Sequence, residues 1–221
     1  MKRIECSAIL FDLDGVLVDS AAYVEQQWRR WATSRGLEAE PFLRVCHGRR
    51  ALETIRIAAP HLDAEAEVRA LEPEEELDSA IAPLPGALRL LDALPAGSWA
   101  VATSGRRQGA LARLRRAGLP VPEVLVSAEE VTAGKPSPEA YLLAAHRLGA
   151  LPDAALVVED APAGIEAALS AGIRVLALTT TYGADRLATD LHAPTLAAVH
   201  LGRIDPDPGS PHRLELLIID S

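Results

Sequence analysis

The stretch ILFDLDGVLVDS, residues 9–20, decides the fold of this chain. A run of large apolar side chains leads to two carboxylates, Asp12 and Asp14, which stand one residue apart. A nearly continuous apolar run is typical of a strand buried in a parallel sheet. Carboxylates at the end of such a strand are costly to desolvate unless a cation compensates them. The stretch therefore predicts a buried strand that delivers two acidic groups to a functional site.

Four more apolar runs follow, and helical segments separate them. The runs are SWAVATSG (98–105), EVLVSAEEV (123–131), ALVVEDAP (155–162) and IRVLALTT (173–180). The helical segments are residues 105–118, 137–149 and 161–172, and each closes on a glycine. Strands that alternate with helices predict an α/β fold, with a Rossmann-like parallel sheet and helices on both faces.

Residues 21–82 interrupt this alternation. No convincing strand occurs there, and helices are predicted at 21–36, 51–60 and 63–80. A connection of this length carries its own structure. We therefore predict a helical cap domain, residues 21–82, inserted into a core domain that residues 1–20 and 83–221 form.

The C-terminal segment is harder to place. Residues 202–221 contain turn-forming residues followed by one more apolar run. This pattern predicts a loop and a last strand at an edge.

Composition excludes several classes of protein. The formal net charge of −9 argues against a general nucleic-acid binder. Two cysteines form no disulfide framework and fit a reducing compartment. The N-terminus lacks the pattern of a signal peptide, and no apolar run approaches the roughly 20 residues of a membrane span. We expect a cytoplasmic protein that binds neither nucleic acid nor a membrane, and nothing in the sequence demands more than a monomer.

Polar residues follow the stronger strands at the edge where ligands of open parallel sheets bind. In chain order they are Asp12 and Asp14; Thr103, Ser104 and Gly105; the 133–136 loop with Lys135; and Glu159 and Asp160. Clustered carboxylates require a cation, and oxygen ligands of this kind suit Mg²⁺. The hydroxyl, the loop N–H groups and the lysine suit a phosphate. The sequence therefore predicts a site for Mg²⁺ and a phosphate group.

Lys135 stands out in a chain that uses arginine for most of its positive charge. The chain contains two lysines, Lys2 and Lys135, against twenty arginines. A lysine in this loop indicates a position that needs a compact ammonium group and has no room for a guanidinium.

Four motifs together resemble the signatures of the haloacid dehalogenase superfamily of phosphatases. They are DLDGV, VATSG, GKPSPEAY and VVEDAPAG, in that order. The helical cap between the first and second motifs resembles the group that contains sugar phosphatases. Within it, stretches such as CHGRRALETI are most similar to the glycerol-3-phosphate, 2-deoxyglucose-6-phosphate and hexose-phosphate phosphatases. The resemblance implies a Mg²⁺-dependent phosphomonoester hydrolase that acts on small sugar or polyol phosphates through an aspartyl-phosphate.

The resemblance also implies a role for each motif residue. Asp12 is the expected nucleophile, and Asp14 is the expected general acid and then general base. The implied metal ligands are Asp12, the backbone carbonyl of Asp14, and Asp160, with Glu159 holding water molecules of the metal. Thr103 and the N–H groups of Ser104 and Gly105 are expected to hold phosphate oxygens. Lys135 is expected to stabilise charge on the nucleophile and on the phosphoryl group.

The cap contributes one further motif. The stretch His47-Gly48-Arg49-Arg50 resembles the His-Gly-x-Arg of the same branch. The resemblance makes Arg50 the expected substrate contact, with His47 and Arg49 behind it. A solvated basic face or a capping histidine is the alternative.

Two other functions remain open. A β-phosphoglucomutase-like enzyme would use the same core, although its pattern has a histidine where this chain has Val24. A non-catalytic phosphosugar sensor on the same fold is the second alternative, but all the catalytic positions are intact.

Overall fold

The computed structural model describes residues 1–71, 81–205 and 212–219. The strands are β1 (Lys2–Cys6), β2 (Ala8–Phe11), β3 (Val18–Asp19), β4 (Ala82–Pro83), β5 (Trp99–Ala102), β6 (Val124–Val126), β7 (Ala155–Glu159), β8 (Arg174–Leu178), β9 (His192–Ala193), β10 (Val199–Asp205) and β11 (Arg213–Ile218). The α-helices are α1 (Ala21–Ser34), α2 (Glu40–Leu43), α3 (Ala51–Ala58), α4 (Ala64–Ala70), α5 (Ala87–Ala93), α6 (Arg107–Arg116), α7 (Glu139–Arg147) and α8 (Pro162–Ser170). Among these described helices, none has the length and apolar character that would let it cross a membrane.

A six-stranded parallel sheet forms the core, in the order β6-β5-β2-β7-β8-β9. Strand β2 lies in the middle, and all four of its residues are buried. Ile9 and Phe11 pack on one face with Leu114 of α6, whereas Leu10 packs on the other with Tyr141 of α7. Helices therefore cover both faces, which confirms the predicted α/β class and explains why the strand sequences are apolar at consecutive positions.

The helices α1–α4 lie between β3 and β4 and have an apolar core of their own. Trp28 and Trp31 pack edge to face with ring centroids 5.5 Å apart, and Phe42 stacks on Trp28 at 5.6 Å. The two strands that flank the helices pair with each other, with Val18 opposite Pro83. This arrangement is an inserted helical cap, and we retain residues 21–82 as its proposed extent. The helix predicted at 63–80 begins as α4, and residues 72–80 lie outside the described residues.

A second sheet corrects the prediction for the C-terminal segment. It contains three antiparallel strands in the order β1-β11-β10. The last strand was predicted at an edge, and this prediction was wrong because β11 is the central strand of the second sheet. An alternating pattern identifies a strand but not its partner. The partner here begins at Lys2, about two hundred residues away along the chain.

Candidate active site

Parallel pairing of the strands brings the predicted site residues together at the carboxyl ends of the strands of the main sheet, which form one edge of that sheet. Phe11 lies in register with Val101 of β5 on one side and with Val158 of β7 on the other. The N–H of Asp12 continues the ladder by donating to the Val158 carbonyl at 3.0 Å. Thr103 follows β5 and Asp160 follows β7. The carboxyl ends of three adjacent strands therefore converge around Asp12, as expected for a ligand site of an open sheet.

Lys135 is buried within this edge, with 1% of its side chain exposed. Its Nζ donates to Asp12 Oδ1 at 2.6 Å, to Glu159 Oε1 at 2.8 Å and to the Ala102 carbonyl at 3.1 Å. The Tyr141 ring lies 4.7 Å from Nζ, and its hydroxyl donates to Glu159 Oε1 at 2.9 Å. The ammonium uses three donors in three directions, a geometry that the planar guanidinium of arginine does not match.

Asp12, Glu159 and Asp160 form a buried carboxylate cluster whose ligand oxygens lie within 4.8 Å of one another. Burial raises the pKa of Asp12 to about 7, although the Lys135 charge opposes the shift. Burial and the charge of Glu159 raise the pKa of Asp160 well above its usual value. The single charge of Lys135 is insufficient for three carboxylates. A divalent metal ion fits this all-oxygen donor set and would supply the compensation that the cluster lacks.

Two glycines make room for the cluster. Gly15 has a φ of +79°, and a Cβ there would lie 2.0 Å from Asp160 Oδ2. A Cβ on Gly164 would lie 1.6 Å from Glu159 Oε1. Glu159 Oε2 accepts from the N–H groups of Asp160 and Ala161 at 2.8 and 2.9 Å, which fixes the carboxylate against the start of α8. Glycine is therefore required at both positions, because the Asp160 carboxylate lies too close to Gly15, and the Glu159 carboxylate too close to Gly164, for any side chain to fit.

Asp14 occupies a different environment from Asp12. Its side chain is 27% exposed and lines a cavity of about 770 Å³ between cap and core. Its Oδ1 accepts from Ser20 Oγ at 2.5 Å and forms an ion pair with Arg113 Nε at 3.1 Å. Its carboxylate is not part of the buried cluster. The two aspartates of the motif therefore have separate partners, as two different chemical roles require.

The loop after β5 carries the predicted phosphate-binding groups. Thr103 is buried beside Asp12, and its Oγ1 accepts from the Gly105 N–H at 3.0 Å. Ser104 Oγ donates to the carbonyl of Gly48 in the cap at 2.9 Å. All three residues line the cavity. The Gly105 N–H would have to leave Thr103 Oγ1 before it could bind a phosphate oxygen.

The predicted cap residues His47 and Arg49 also line the cavity. The His47 ring packs edge to face against Tyr182, with centroids 6.2 Å apart. Burial lowers the pKa of His47 below its usual value, despite nearby carboxylates. A neutral imidazole and a cationic guanidinium therefore face the space above the carboxylate cluster.

Arg50 also lines the cavity, and its guanidinium is engaged by groups of both the core and the cap. Its Nη1 donates to the Val131 carbonyl at 2.9 Å, and its Nη2 donates to the Thr132 carbonyl at 3.0 Å. Its Nε contacts both carboxylate oxygens of Glu53 at 3.0 Å. Burial alone would raise the pKa of Glu53, but the hydrogen bond and charge of Arg50 outweigh it and hold the pKa low. Arg50 thus ties the cap to the loop that carries Lys135, and its predicted role as a substrate contact stays a prediction.

Replacing Arg50 with Lys should lower the free energy of unfolding by about 1–3 kcal/mol, measured by chemical denaturation. The reason is that an ammonium group cannot bond Glu53 and two loop carbonyls in the geometry of the fork. Arg44→Lys, at an exposed position, is the matched control and should leave stability unchanged. Unchanged stability of the Arg50 variant with a raised KM would instead favour the substrate contact.

The site includes residues that the sequence analysis did not identify. They are Ser20, Arg113, Tyr141 and Thr181. The side chain of Thr181 lowers the pKa of Asp160 and so opposes part of the rise that burial causes. One signal was available for Arg113, because it interrupts the apolar stripe that Ala110, Leu114 and Ala117 form on α6. A cation within a buried stripe indicates a specific partner.

The chain is similar to known proteins over most of its length. Residues 6–172 match the family model described as a haloacid dehalogenase-like hydrolase. The chain is 45% identical over 188 residues to Hexitol phosphatase A of Escherichia coli (strain K12), which covers 82% of this chain and 87% of that protein. It is 34% identical over 197 residues to Glycerol-1-phosphate phosphohydrolase 2 of Saccharomyces cerevisiae, covering 83% and 79%. A hydrolase structure from Pseudomonas syringae shares the fold, with a TM-score of 0.75 at 24% identity, covering 86% of this chain and 94% of that one.

These similarities and the edge of the sheet around Asp12 define an enzyme of the phosphatase class. The chain belongs to the haloacid dehalogenase-like hydrolases. The predicted superfamily and its sugar-phosphate phosphatase branch are confirmed, whereas the role of each site residue remains a prediction.

Proposed function

We propose that this protein is a Mg²⁺-dependent phosphomonoester hydrolase for small sugar or polyol phosphates, acting through an aspartyl-phosphate. The observation that carries the proposal is the pairing of Asp12 with Lys135 at 2.6 Å beside the cavity that Asp14 lines. A nucleophile and a separate acid–base group therefore face one space, as covalent phosphoryl transfer requires.

In the proposed reaction an Asp12 oxygen attacks phosphorus, and the P–O bond of the ester breaks. The bonding electron pair leaves with the ester oxygen, which takes a proton from Asp14 to become the alcohol. Asp14 then removes a proton from a water molecule that attacks the aspartyl-phosphate, releasing phosphate and restoring Asp12. Lys135 holds the attacking carboxylate in place and stabilises negative charge on the phosphoryl oxygens.

Asp12, Asp160 and the backbone carbonyl of Asp14 would hold the metal ion, with Glu159 beside them. A bound Mg²⁺ would neutralise charge on the phosphate and on the clustered carboxylates. Thr103 and the Ser104 amide would bind the remaining phosphate oxygens. A substrate that fills the cavity would displace water from the reacting groups.

The substrate class follows from the relatives and from the cavity. The two curated relatives are named for phosphate esters of a hexitol and of glycerol, both small polyols. The cavity of about 770 Å³ has room for a hexitol or hexose phosphate, and His47, Arg49 and Gln27 offer polar contacts to hydroxyl groups. Val24 also lines the cavity and supplies no acid or base there, which favours hydrolysis over mutase chemistry.

We expect the enzyme to act in the cytoplasm as a monomer. The expected compartment rests on the acidic composition and on the two cysteines, Cys6 and Cys46, which are free and buried. A monomer is expected because nothing in the sequence demands more than one. Gel filtration of the purified protein tests the expected monomeric state. Elution at twice the mass of one chain would contradict it.

The proposal is tested by phosphate release from a panel of esters, with Mg²⁺ and with EDTA. The panel contains hexitol phosphates, glycerol 1-phosphate, hexose 6-phosphates, 2-deoxyglucose 6-phosphate and β-glucose 1-phosphate. We expect metal-dependent release that is fastest on the polyol and hexose esters. Conversion of β-glucose 1-phosphate to glucose 6-phosphate without phosphate release would point to a mutase. If the protein shows neither phosphate release nor mutase activity, the result would favour the non-catalytic phosphosugar sensor.

Addition of Mg²⁺ should raise the melting temperature of the metal-free protein, and the rise should be larger at pH 8 than at pH 5.5. The folded pKa of Asp12, about 7, lies above the ordinary value of 3.8, so the folded state holds a proton that the unfolded state loses. The contribution of Asp12 to stability in EDTA therefore falls as pH rises between these two values and is lost above pH 7. A cation that offsets the carboxylate charge therefore stabilises the protein more at pH 8, where Asp12 is ionised, than at pH 5.5.

Mg²⁺ at roughly 100 times its dissociation constant should raise the melting temperature by about 5 °C or more at pH 8. Differential scanning fluorimetry in matched buffers measures the effect, with Na⁺ at equal ionic strength as the control. A melting temperature that ignores Mg²⁺ at both pH values would contradict the proposed metal site.

A further inference from the structure

We propose that Arg113 is a positioning residue that holds the carboxyl group of Asp14 in place for protonation of the leaving alcohol. The inference rests on the proposed function. Arg113 lies on α6, outside the four motifs of the superfamily, and acts through Asp14 without touching the reacting atoms.

The burial of Arg113 is the first observation. Its side chain is 3% exposed, and its Nε lies 3.1 Å from Asp14 Oδ1. A buried guanidinium is costly to desolvate, and this cost is offset when an anion lies beside it. An exposed arginine at this position of the helix would avoid the cost, so its buried placement indicates a specific use.

The second observation is that a hydrogen-bond donor and a cation converge on one oxygen of Asp14. Ser20 Oγ donates to Asp14 Oδ1 at 2.5 Å, and the Arg113 guanidinium pairs with the same oxygen. Ser20 is 1% exposed, so both partners are fixed by their surroundings. Engaging Oδ1 from two sides fixes the rotation of the carboxyl group and leaves Oδ2 for the substrate.

The third observation is the fit of Arg113 against the phosphate-binding loop. A Cβ on Gly105 would lie only 2.5 Å from Arg113 Nη2, so the loop and the guanidinium pack against each other directly. The Arg113 guanidinium therefore lies between the loop expected to hold the phosphate and the carboxyl group expected to protonate the ester oxygen. This placement fixes the distance between the two groups, which proton transfer requires within hydrogen-bond reach.

The test uses two esters that differ in their need for a proton. When the P–O bond of a hexitol phosphate breaks, the electron pair goes to an alkoxide oxygen that must take the Asp14 proton. The phenolate of p-nitrophenyl phosphate leaves without one. The value of kcat/KM reports only the steps up to departure of the leaving group, so it isolates this first transfer.

Arg113→Met should lower kcat/KM for the hexitol phosphate by about 100-fold and that for p-nitrophenyl phosphate by less than about 3-fold. Arg113→Lys, which keeps the charge but loses the fork, should restore part of the difference. Ser20→Ala should show the same selectivity in a weaker form, and it tests the inference independently if Arg113→Met fails to fold. Arg115→Met, at an exposed position of the same helix, is the control and should change neither value.

Equal losses on both esters would overturn the inference and leave the proposed function standing. Unchanged kcat/KM values for both esters in both Arg113 variants would also overturn the inference and leave the proposed function standing. A wild-type protein that hydrolyses neither ester would overturn the proposed function and, with it, the role of Arg113.

Discussion

Asp12→Asn is expected to lower kcat for phosphomonoester hydrolysis by about 10⁴-fold or more, because the amide cannot form the covalent phosphoryl intermediate. The fold should remain, since the Asn side chain has nearly the same shape and its oxygen can still accept from Lys135 Nζ, which lies 2.6 Å from Asp12 Oδ1. Phosphate release and a circular dichroism melt measure the two quantities on the same sample.

Asp19→Asn is the matched control for this variant. Asp19 belongs to the same acidic stretch but is exposed in β3, away from the buried cluster. We expect wild-type activity from it. Retention of more than about a tenth of the wild-type kcat by Asp12→Asn would exclude Asp12 as the nucleophile.

Lys135→Met is expected to lower kcat by about 10³-fold and the free energy of unfolding by about 3–5 kcal/mol. The variant removes a fully buried cation that two carboxylates contact, at 2.6 and 2.8 Å. Asp12 and Glu159 would then repel each other without compensation in a site closed to solvent. Steady-state kinetics and urea denaturation test the two parts separately.

The chain supplies its own control for this variant. Lys2 is the other lysine, and its exposed side chain donates to the Asp190 carbonyl at 2.8 Å. Lys2→Met should change activity little and stability by less than about 1 kcal/mol. Lys135→Arg should be inactive despite its conserved charge, because the site has no room for a planar fork. Full activity of that variant would contradict the argument from lysine usage.

The main sheet and its edge of polar residues could be predicted because local patterns specify both. An apolar run followed by Asp12 and Asp14 identifies a buried strand and the end at which its polar groups lie. Parallel sheets place the carboxyl ends of successive strands together, so strand identity alone brings Thr103, Lys135 and Asp160 near Asp12. No knowledge of side-chain contacts is needed for that step.

The second sheet could not be predicted, because its pairing joins the two ends of the chain. Ile4 and Cys6 of β1 are buried and alternate with exposed residues, which is a weak signal in a five-residue strand. Strand β11 is recognisable as an apolar run, but the run does not say that β1 and β10 flank it. Pairing over such separations depends on packing that is visible only in three dimensions.

The cap side of the site shows a different limit. A motif resemblance predicts that Arg50 contacts the substrate, and this stays a prediction. The sequence did not indicate that the Arg50 guanidinium also bonds Glu53 and the loop before Lys135. Sequence identifies a cation near the cavity but not the direction of its side chain. The same limit applies to Arg113, whose place in an apolar stripe was visible but whose partner, Asp14, lies about a hundred residues away along the chain.

Trapping the phosphorylated enzyme would show whether Asp12 carries the phosphoryl group. The Asp14→Asn variant is mixed with Mg²⁺ and p-nitrophenyl phosphate, quenched in acid and digested for mass spectrometry. This variant should form the intermediate, since the phenolate needs no proton, but should hydrolyse it slowly because no base activates water. We expect one added phosphoryl group on the peptide that contains Asp12, and hydroxylamine should remove it. If the ester is turned over while that peptide stays unmodified, or if the phosphoryl group is found on another residue, Asp12 is not the nucleophile.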